Sequence, residues 1–239
     1  MDFYDAIADE YDAMSNLGRR QKTIEAFLKR VTGQWPIRSA LDAACGTGAY
    51  TIRLAQMGVE AVGADLSAGM LEEAQKAAAA GGVEPVWVQC PMQRLASQVE
   101  RTFDLILCLG NSIVHILEPV ELRETLGGFA ALLRPGGVLL LHLLNYPLLL
   151  QKKERIVAIS RAEQKEYIRF YDFLPEGVQF NLLKIEWEDG QARHTLSSTL
   201  LFPYAPQEMV RELQGCGFGK IRLYADTQFR PFVPGESQG

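Results

Sequence analysis

The chain has 239 residues, with 24 lysines and arginines against 29 aspartates and glutamates, which gives a formal net charge of −5. Hydrophobic residues make up 48% of it and charged residues 22%, a balance that excludes an intrinsically disordered chain and supplies enough apolar side chains for a core. The mild acidity disfavours nucleic acid or an anionic membrane surface as the main partner.

The N-terminal segment predicts two helices. Residues 3–14 place their apolar side chains on one helical stripe, residues 18–32 do so again, and Pro36 ends the segment. The side chains that we expect to face inward on the second helix are Ile24, Phe27, Leu28 and Val31.

From residue 39 onward, short apolar runs alternate with helical patterns. We predict strands at 39–44, 60–65, 83–89, 103–109 and 138–144. The helices are predicted at 46–57, with Ile52 and Ala55 on one face, at 67–80, with Ser67 as the N-cap, and at 118–133. Because continuous apolar strands that alternate with helices indicate a parallel sheet covered on both faces, we predict a doubly wound, Rossmann-like α/β fold.

After residue 145 the pattern changes to period-two alternation rich in aromatic and β-branched side chains. It predicts antiparallel strands at 167–173, 178–188 and 193–202, and Glu188-Asp189-Gly190 is a hairpin turn signal. A last helix is predicted at 206–215 and an antiparallel last strand at 218–224. The mostly parallel sheet is therefore expected to carry an inserted antiparallel β unit before its last helix.

The N-terminus, the apolar stretches, the cysteines and the histidines indicate where the protein is located and whether it binds a metal. The acidic N-terminus lacks the profile of a secretion signal, and the longest apolar stretch, 138–150, is shorter than the ~20 residues of a membrane helix. The four cysteines form no C-x-x-C pair, and the three histidines are scattered. We therefore expect a cytoplasmic protein with reduced thiols, no membrane partner and no metal site.

A glycine-containing turn, LDAACGTG at 41–48, joins the first predicted strand of the sheet to the helix that follows it. Glycines there let the backbone approach a ligand closely, and ligands of doubly wound folds bind at this edge of the sheet. Asp65 ends the second strand 19 positions after Gly46, where a carboxylate accepts both hydroxyls of a ribose. A dinucleotide site has a third glycine where this chain has Thr51, so the pattern favours a single nucleoside over NAD.

Three motifs, LDAACGTG at 41–48, GADLSAGM at 63–70 and LRPGG at 133–137, resemble the successive motifs of class I S-adenosylmethionine-dependent methyltransferases. Residues 4–12 are similar to the N-terminal helix that closes over the cofactor in that family. The resemblance covers about residues 1–146 and implies S-adenosyl-L-methionine as the cofactor. It also implies one domain, 1–239, with a helical lid (1–36), a cofactor-binding core (37–146), a β-rich unit on the substrate side (147–205) and a closing helix and strand (206–225).

Residues 108–112, CLGNS, with His115 and with Asn145-Tyr146, are similar to the glycine/sarcosine N-methyltransferase branch of the family. This resemblance implies that Ala44 and Gly46 line the methionine part of the cofactor and that Asp65 binds its ribose. The residues implied near the adenine are Leu66 and Met70, with Met92 at its border and Leu109 making a backbone contact. From the N-terminal segment, Tyr11 and Arg20 are implied as further cofactor contacts.

Two positions depart from the family pattern. Many members have an acid after the third strand that accepts the adenine amine, whereas this chain has QCPM at 89–92, so backbone groups near Met92 are expected to bind that amine. Glycine methyltransferases hold the substrate carboxylate with an Arg immediately before the Asn-Tyr pair, and this chain has Leu144 there. Because a buried carboxylate needs such a compensating charge, the sequence disfavours glycine as the acceptor.

For methyl transfer from an activated sulfonium, the protein mainly needs to position the nucleophile in line with the methyl group. Such positioning can lower the activation barrier by ~7–11 kcal/mol. A neutral amine needs no strong base, whereas a hydroxyl needs one, and His115 and His142 are the candidates for it. Asn111 is a candidate to orient a polar substrate. Each histidine is also compatible with a purely structural role. The aromatic candidates for the substrate pocket, equally compatible with the core of the inserted sheet, are Tyr146, Tyr167, Phe170, Tyr171 and Phe173.

We therefore predict an S-adenosylmethionine-dependent methyltransferase that acts on a small-molecule acceptor, with nitrogen favoured as the acceptor atom. The alternatives are an O-methyltransferase with a histidine base and a non-catalytic S-adenosylmethionine-binding protein. A nucleotide-dependent oxidoreductase is disfavoured by Thr51. The sequence carries no signal of oligomeric state.

Overall fold

The N-terminal segment forms a short helical layer. The computed structural model describes residues 3–162, 164–188 and 190–238. A 3-10 helix, Asp5–Glu10, leads into α1 (Tyr11–Met14) and the long α2 (Leu17–Gln34). All four residues that were expected to face inward on α2 are buried, so the predicted stripe is confirmed.

The central sheet has five strands, and every neighbouring pair in it is parallel. Its strands are β1 (Ser39–Ala43), β2 (Glu60–Asp65), β3 (Val86–Gln89), β4 (Phe103–Cys108) and β5 (Leu133–Leu141). The connecting helices are α3 (Ala49–Gln56), α4 (Ala68–Ala80), α5 (Leu95–Gln98) and α6 (Pro119–Leu132). The strand order is β3-β2-β1-β4-β5, which confirms the doubly wound fold and opens a crevice beyond the carboxyl ends of β1 and β4, where the order reverses.

The helix after the first strand begins later than predicted. Gly46 and Gly48 have φ angles of 55° and 79°, which an α-helix does not allow, so α3 begins only at Ala49. Its buried residues are Thr51 and Leu54, whereas Ile52 and Ala55 are only partly buried. The most buried positions of α3 therefore lie beside Ile52 and Ala55 on the helix.

The inserted unit is a four-stranded antiparallel sheet in the order β6-β7-β8-β9. After α7 (Tyr146–Lys152) come β6 (Ile156–Ala162), β7 (Lys165–Leu174), β8 (Gly177–Glu188) and β9 (Gln191–Leu201). The three predicted strands are confirmed, and residue 189 of the predicted hairpin turn lies outside the described residues. Helix α7 and strand β6 were not predicted, because β6 is an edge strand that leaves apolar Ile156 and Ile159 largely exposed and shows no alternating pattern.

The chain closes with α8 (Pro206–Gly215), as predicted, but the last strand predicted at 218–224 is wrong. In the described part of the chain this segment makes a single isolated bridge, between Tyr224 and Pro231, and does not join β5. The ring of Phe229 packs edge-on against Phe27 and Trp35, with ring centroids 6.0 and 5.9 Å apart. These contacts hold the end of the segment beside α2 and away from the edge of the sheet.

A small apolar cluster places the N-terminal segment between the two sheets. It joins Phe3 and Ile7 of that segment to Met70 of α4 and to Tyr167 and Leu182 of the inserted sheet. The segment and the inserted sheet therefore cover the crevice together. Among the described residues, no helix has both the length and the apolar character that a membrane crossing requires.

Candidate functional site

A cavity of about 640 Å³ lies at the carboxyl ends of the central strands, beneath the N-terminal segment and the inserted sheet. Every residue predicted to bind the cofactor lines it: Tyr11, Arg20, Ala44, Gly46, Asp65, Leu66, Met70, Met92 and Leu109. Of the predicted catalytic residues, Asn111, His115 and His142 line it, and Tyr146 does not. Motifs that are distant in sequence are therefore brought to one place.

A second, larger cavity of about 1180 Å³ lies between β5 and the segment 217–229 that does not pair with it. It shares Arg20, Leu109 and His142 with the smaller cavity, but neither the glycine turn nor Asp65 borders it. The unpaired edge of β5 accounts for this space. We therefore assign the candidate site to the smaller cavity, where the predicted residues converge.

Asp65 is held rigidly between the first two strand ends. One carboxylate oxygen, Oδ2, accepts a hydrogen bond of 2.8 Å from the backbone N–H of Gly46, and Oδ1 accepts one of 3.0 Å from the N–H of Ser67. A Cβ atom at Gly46 would meet no atom within 4 Å, so open space lies beside the backbone there. The turn thus presents an oriented carboxylate and accessible backbone to one ligand.

The N-terminal segment is tied to the cavity rim by three polar contacts. Asp5 accepts a hydrogen bond from the Ser67 hydroxyl, and Asp12 accepts one of 2.6 Å from the Thr47 hydroxyl. The Tyr4 hydroxyl lies 2.8 Å from Nε2 of His115 in a third hydrogen bond. Because these contacts reach the ends of β1, β2 and β4, the segment closes the cavity from above.

His115 connects the N-terminal segment to the inserted sheet. Its Nε2 is hydrogen-bonded to Tyr4, and its Nδ1 lies 3.5 Å from the Thr199 hydroxyl of β9. His142 follows β5 and has a different environment, because burial and the nearby Arg20 charge lower the pKa of His142. His142 is therefore neutral at neutral pH. His115, in contrast, is bonded both to the N-terminal segment and to the inserted sheet, the two elements that cover the site.

Asn111 joins the ends of β4 and β5. Its Nδ2 donates a 2.9 Å hydrogen bond to the Tyr146 hydroxyl, and its Oδ1 accepts a 3.0 Å bond from the backbone N–H of Leu144. Asn111 has a φ of 69°, a left-handed conformation that asparagine tolerates better than most residues. Tyr146, expected in the substrate pocket, is instead fully buried in the core behind this bridge, where Asn111 supplies the partner that its buried hydroxyl requires.

The inserted sheet contributes cavity residues that the sequence prediction missed. Arg169, Phe180 and Thr199 line the cavity from β7, β8 and β9, together with Tyr171, which was a candidate. Tyr167 is buried in the neighbouring cluster and does not border the cavity. The alternation along β7 was a usable signal, because residues 167, 169 and 171 must share one face of a strand.

Asp42 is a fully buried carboxyl group at the floor of the cavity, on β1, where it accepts a 2.8 Å hydrogen bond from the Thr51 hydroxyl. Burial raises the pKa of Asp42 to about 7; the Thr51 hydrogen bond opposes this rise, and the charge of Asp65 adds to it. Because the folded-state pKa lies above the unfolded value of about 3.9, the protonated group stabilises the fold. This contribution is complete below pH ~4 and is lost as the pH rises through 7.

We expect Asp42→Asn, which mimics the protonated carboxyl, to raise the free energy of unfolding at pH 8 by about 2–4 kcal/mol and to leave it nearly unchanged at pH 4. Urea unfolding at both pH values measures this. Asp104→Asn is the matched control, because burial raises the pKa of Asp104 but hydrogen bonds from Arg38, Ser39 and Arg134 together lower it below its usual value. It should lose stability at pH 8. Equal effects of the two substitutions would contradict the assignment.

Comparison with known proteins gives consistent matches. Residues 40–137 match the family model described as a methyltransferase domain. The chain is 29% identical over 232 residues to the glycine/sarcosine N-methyltransferase of Halorhodospira halochloris, covering 94% of this chain and 82% of that protein. It is 31% identical over 248 residues to the glycine N-methyltransferase of Oryctolagus cuniculus, covering 91% and 82%. The fold matches a crystal structure of an S-adenosylmethionine-dependent methyltransferase from Clostridium acetobutylicum with a TM-score of 0.80 and 19% identity, over 99% and 96% of the two chains.

Proposed function

Because this chain belongs to the class I S-adenosylmethionine-dependent methyltransferases, we propose that it transfers a methyl group to a nitrogen atom of a small molecule. It is a methyltransferase, and S-adenosyl-L-methionine is its cofactor. The observation that carries the proposal is the convergence of the glycine turn and Asp65 with two polar side chains, Asn111 and His142, in one cavity. The names of the relatives, which methylate nitrogen in glycine and sarcosine, support nitrogen as the acceptor atom.

The cavity residues fit this cofactor in size and chemistry. The cavity volume of about 640 Å³ falls within the ~300–1,000 Å³ of small-molecule sites. Asp65 would accept the ribose hydroxyls, the backbone at Ala44 and Gly46 would border the methionine part, and Arg20 on α2 would hold its carboxylate. The side chain of Leu66 is 54% exposed, an apolar surface that a flat base would cover. The remaining proposed contacts are Tyr11, Met70, Met92 and Leu109.

The bound cofactor supplies a methyl group already activated by its sulfonium charge. The protein's own task is to position the acceptor, to exclude water and to leave the nucleophile unprotonated. The N-terminal segment excludes water through its contacts to Thr47, Ser67 and His115. The neutral His142 adds no positive charge that would repel a cationic transition state.

The test is a pair of measurements on the full chain. Calorimetric titration should show binding of S-adenosylmethionine and S-adenosylhomocysteine, and mass spectrometry should show methylated products from a panel of amines matched to alcohols of the same skeleton. We expect transfer to amines. Transfer to the alcohols alone, increasing with pH, would replace the proposal with an O-methyltransferase. Cofactor binding without transfer to either class would replace it with a non-catalytic binding protein.

Tyr4→Phe should loosen the cover of this site. The substitution removes the 2.8 Å hydrogen bond to His115 but keeps the aromatic ring, whose centroid lies 5.3 Å from that of the imidazole. A neutral hydrogen bond contributes about 0.5–1.5 kcal/mol, so we expect S-adenosylhomocysteine to dissociate about 3- to 10-fold faster. Stopped-flow fluorescence measures this rate. Tyr224→Phe, outside the cavity, is the control, and equal rates for both variants and the wild type would show that the bond does not hold the cover.

A further inference from the structure

One face of the inserted sheet borders the cavity, and Arg169 lies in the middle of that face. On β7, Tyr167 and Tyr171 are buried, so Arg169 between them projects to the same side of the strand. In the register with β8, Arg169 lies opposite Leu182, and Tyr171 lies opposite Phe180. Arg169 therefore has aromatic and aliphatic neighbours on this face of the sheet, and it borders the cavity.

The two lysines near this face form ion pairs, and in the described part of the chain Arg169 does not. Lys165 and Lys184 both form ion pairs with Glu10 and with Glu186. For Arg169, in contrast, no carboxylate of the described residues lies within ion-pair distance, and its buried Nε has no hydrogen-bond partner among them. Burial lowers the pKa of Arg169, yet a guanidinium remains charged at neutral pH. A half-buried charge without such a partner, on a wall of the cavity, is costly and favours an anion from outside the chain.

We propose that Arg169 binds a carboxylate of the methyl acceptor, so that the acceptor belongs to the class of anionic amines. This inference rests on the proposed nitrogen methyl transfer and specifies its substrate class. A planar guanidinium matches a carboxylate in shape and in its single charge. It would also supply the positive charge that Leu144 cannot provide at the family's usual position, but from the inserted sheet rather than from the end of β5.

The cavity contains a second arginine, Arg20, so the carboxylate of the cofactor and the carboxylate of the acceptor can each have their own partner. Arg20 comes from α2, on the side of the glycine turn, and is close enough to Arg169 for the two charges to affect each other. Two guanidinium groups that repel each other across one cavity are stabilised by two negative groups. We assign the methionine carboxylate of the cofactor to Arg20 and the acceptor carboxylate to Arg169.

The test uses the full chain saturated with S-adenosylhomocysteine and three pairs of probes that differ only in a carboxylate: β-alanine, phenylalanine and 4-aminobenzoate, each against its primary amide. Saturation-transfer NMR measures binding to this complex, and mass spectrometry of a separate sample, with S-adenosylmethionine in place of S-adenosylhomocysteine, measures transfer. We expect at least one acid to bind about 10-fold or more tightly than its amide. Arg169→Met should abolish the difference, and Arg169→Lys, which keeps the charge but not the fork, should retain part of it.

Arg161→Met is the matched control, because Arg161 is an exposed arginine of the same sheet that pairs with Glu166. It should leave the acid preference and the affinity for S-adenosylhomocysteine unchanged. Equal binding of acids and amides to the wild type would overturn the inference. So would a loss of S-adenosylhomocysteine affinity in Arg169→Met with normal binding of 5′-methylthioadenosine, because Arg169 would then hold the cofactor's own carboxylate.

The two proposals fail in different ways. If acids bind in an Arg169-dependent manner but no amine is methylated, the nitrogen methyl transfer is wrong and the carboxylate site stands. If amides are bound and methylated as well as acids, the transfer stands and the carboxylate site is wrong. If Arg169→Met does not fold, Arg169→Lys decides alone. A reduced ratio of acid to amide affinity in Arg169→Lys would support a carboxylate bound by the planar guanidinium group. An unchanged ratio would exclude Arg169 from the site.

Discussion

Replacing Asp65 with alanine is expected to weaken the binding of S-adenosylhomocysteine at least 100-fold. Both carboxylate oxygens are already oriented, by the N–H groups of Gly46 and Ser67 at 2.8 and 3.0 Å, so a ligand would meet a preorganised acceptor. Hydrogen bonds to a charged group contribute about 1.5–3 kcal/mol each, and two to a ribose give about 3 kcal/mol or more. That energy corresponds to a loss of more than 100-fold in affinity.

Calorimetry measures this effect, and two comparisons separate ribose binding from collapse of the turn. Asp65→Asn keeps the size and one acceptor oxygen, so it should lose less affinity than alanine. Adenine alone, which has no ribose, should bind the wild type and the alanine variant equally. A dissociation constant for S-adenosylhomocysteine within twofold of the wild type in Asp65→Ala would remove Asp65 from the binding site.

Replacing Asn111 with alanine is expected to lower the rate of methyl transfer about 100-fold and to destabilise the fold by about 3 kcal/mol. The substitution leaves the fully buried Tyr146 hydroxyl and the Leu144 N–H without their partner, and each buried unpaired group costs about 1–3 kcal/mol. It also forces an alanine into a left-handed conformation at φ 69°. Because Asn111 joins β4 to β5, its loss shifts the polar side chains of the site against the glycine turn.

Asn111→Gly is the control that separates these causes, since glycine accepts the positive φ but lacks the amide. Its stability should lie above that of the alanine variant, while its transfer rate should remain equally low. Asn111→Asp, which can accept from both Leu144 and the Tyr146 hydroxyl, should recover part of the stability. Denaturant unfolding and initial rates give both quantities, and an alanine variant with a rate within threefold of the wild type would show that the bridge does not position the site.

The sequence by itself was sufficient for the features that depend on short stretches of chain. The five strands of the central sheet follow from apolar runs of the right length, and the Ser67 cap follows from one hydroxyl before a helical pattern. The spacing of Gly46 and Asp65 placed both beside one cavity, because the ends of adjacent parallel strands meet at the same edge. Motifs anchored to strand ends therefore converge whatever the rest of the fold does.

The tertiary structure decided what depends on partners far away in the chain. The segment 218–224 has the composition of a strand, but it does not pair with β5, and Phe229 beyond it packs against Phe27 and Trp35. Asn111 became a bridge to Tyr146 because two strand ends, 35 positions apart, meet there. Arg169 could be recognised as a candidate carboxylate-binding residue only from the tertiary structure, because the inserted sheet packs over the cavity and leaves Arg169 there without an ion-pair partner among the described residues. Periodicity reports which face a side chain takes, whereas its partner is set by long-range packing that no local pattern encodes.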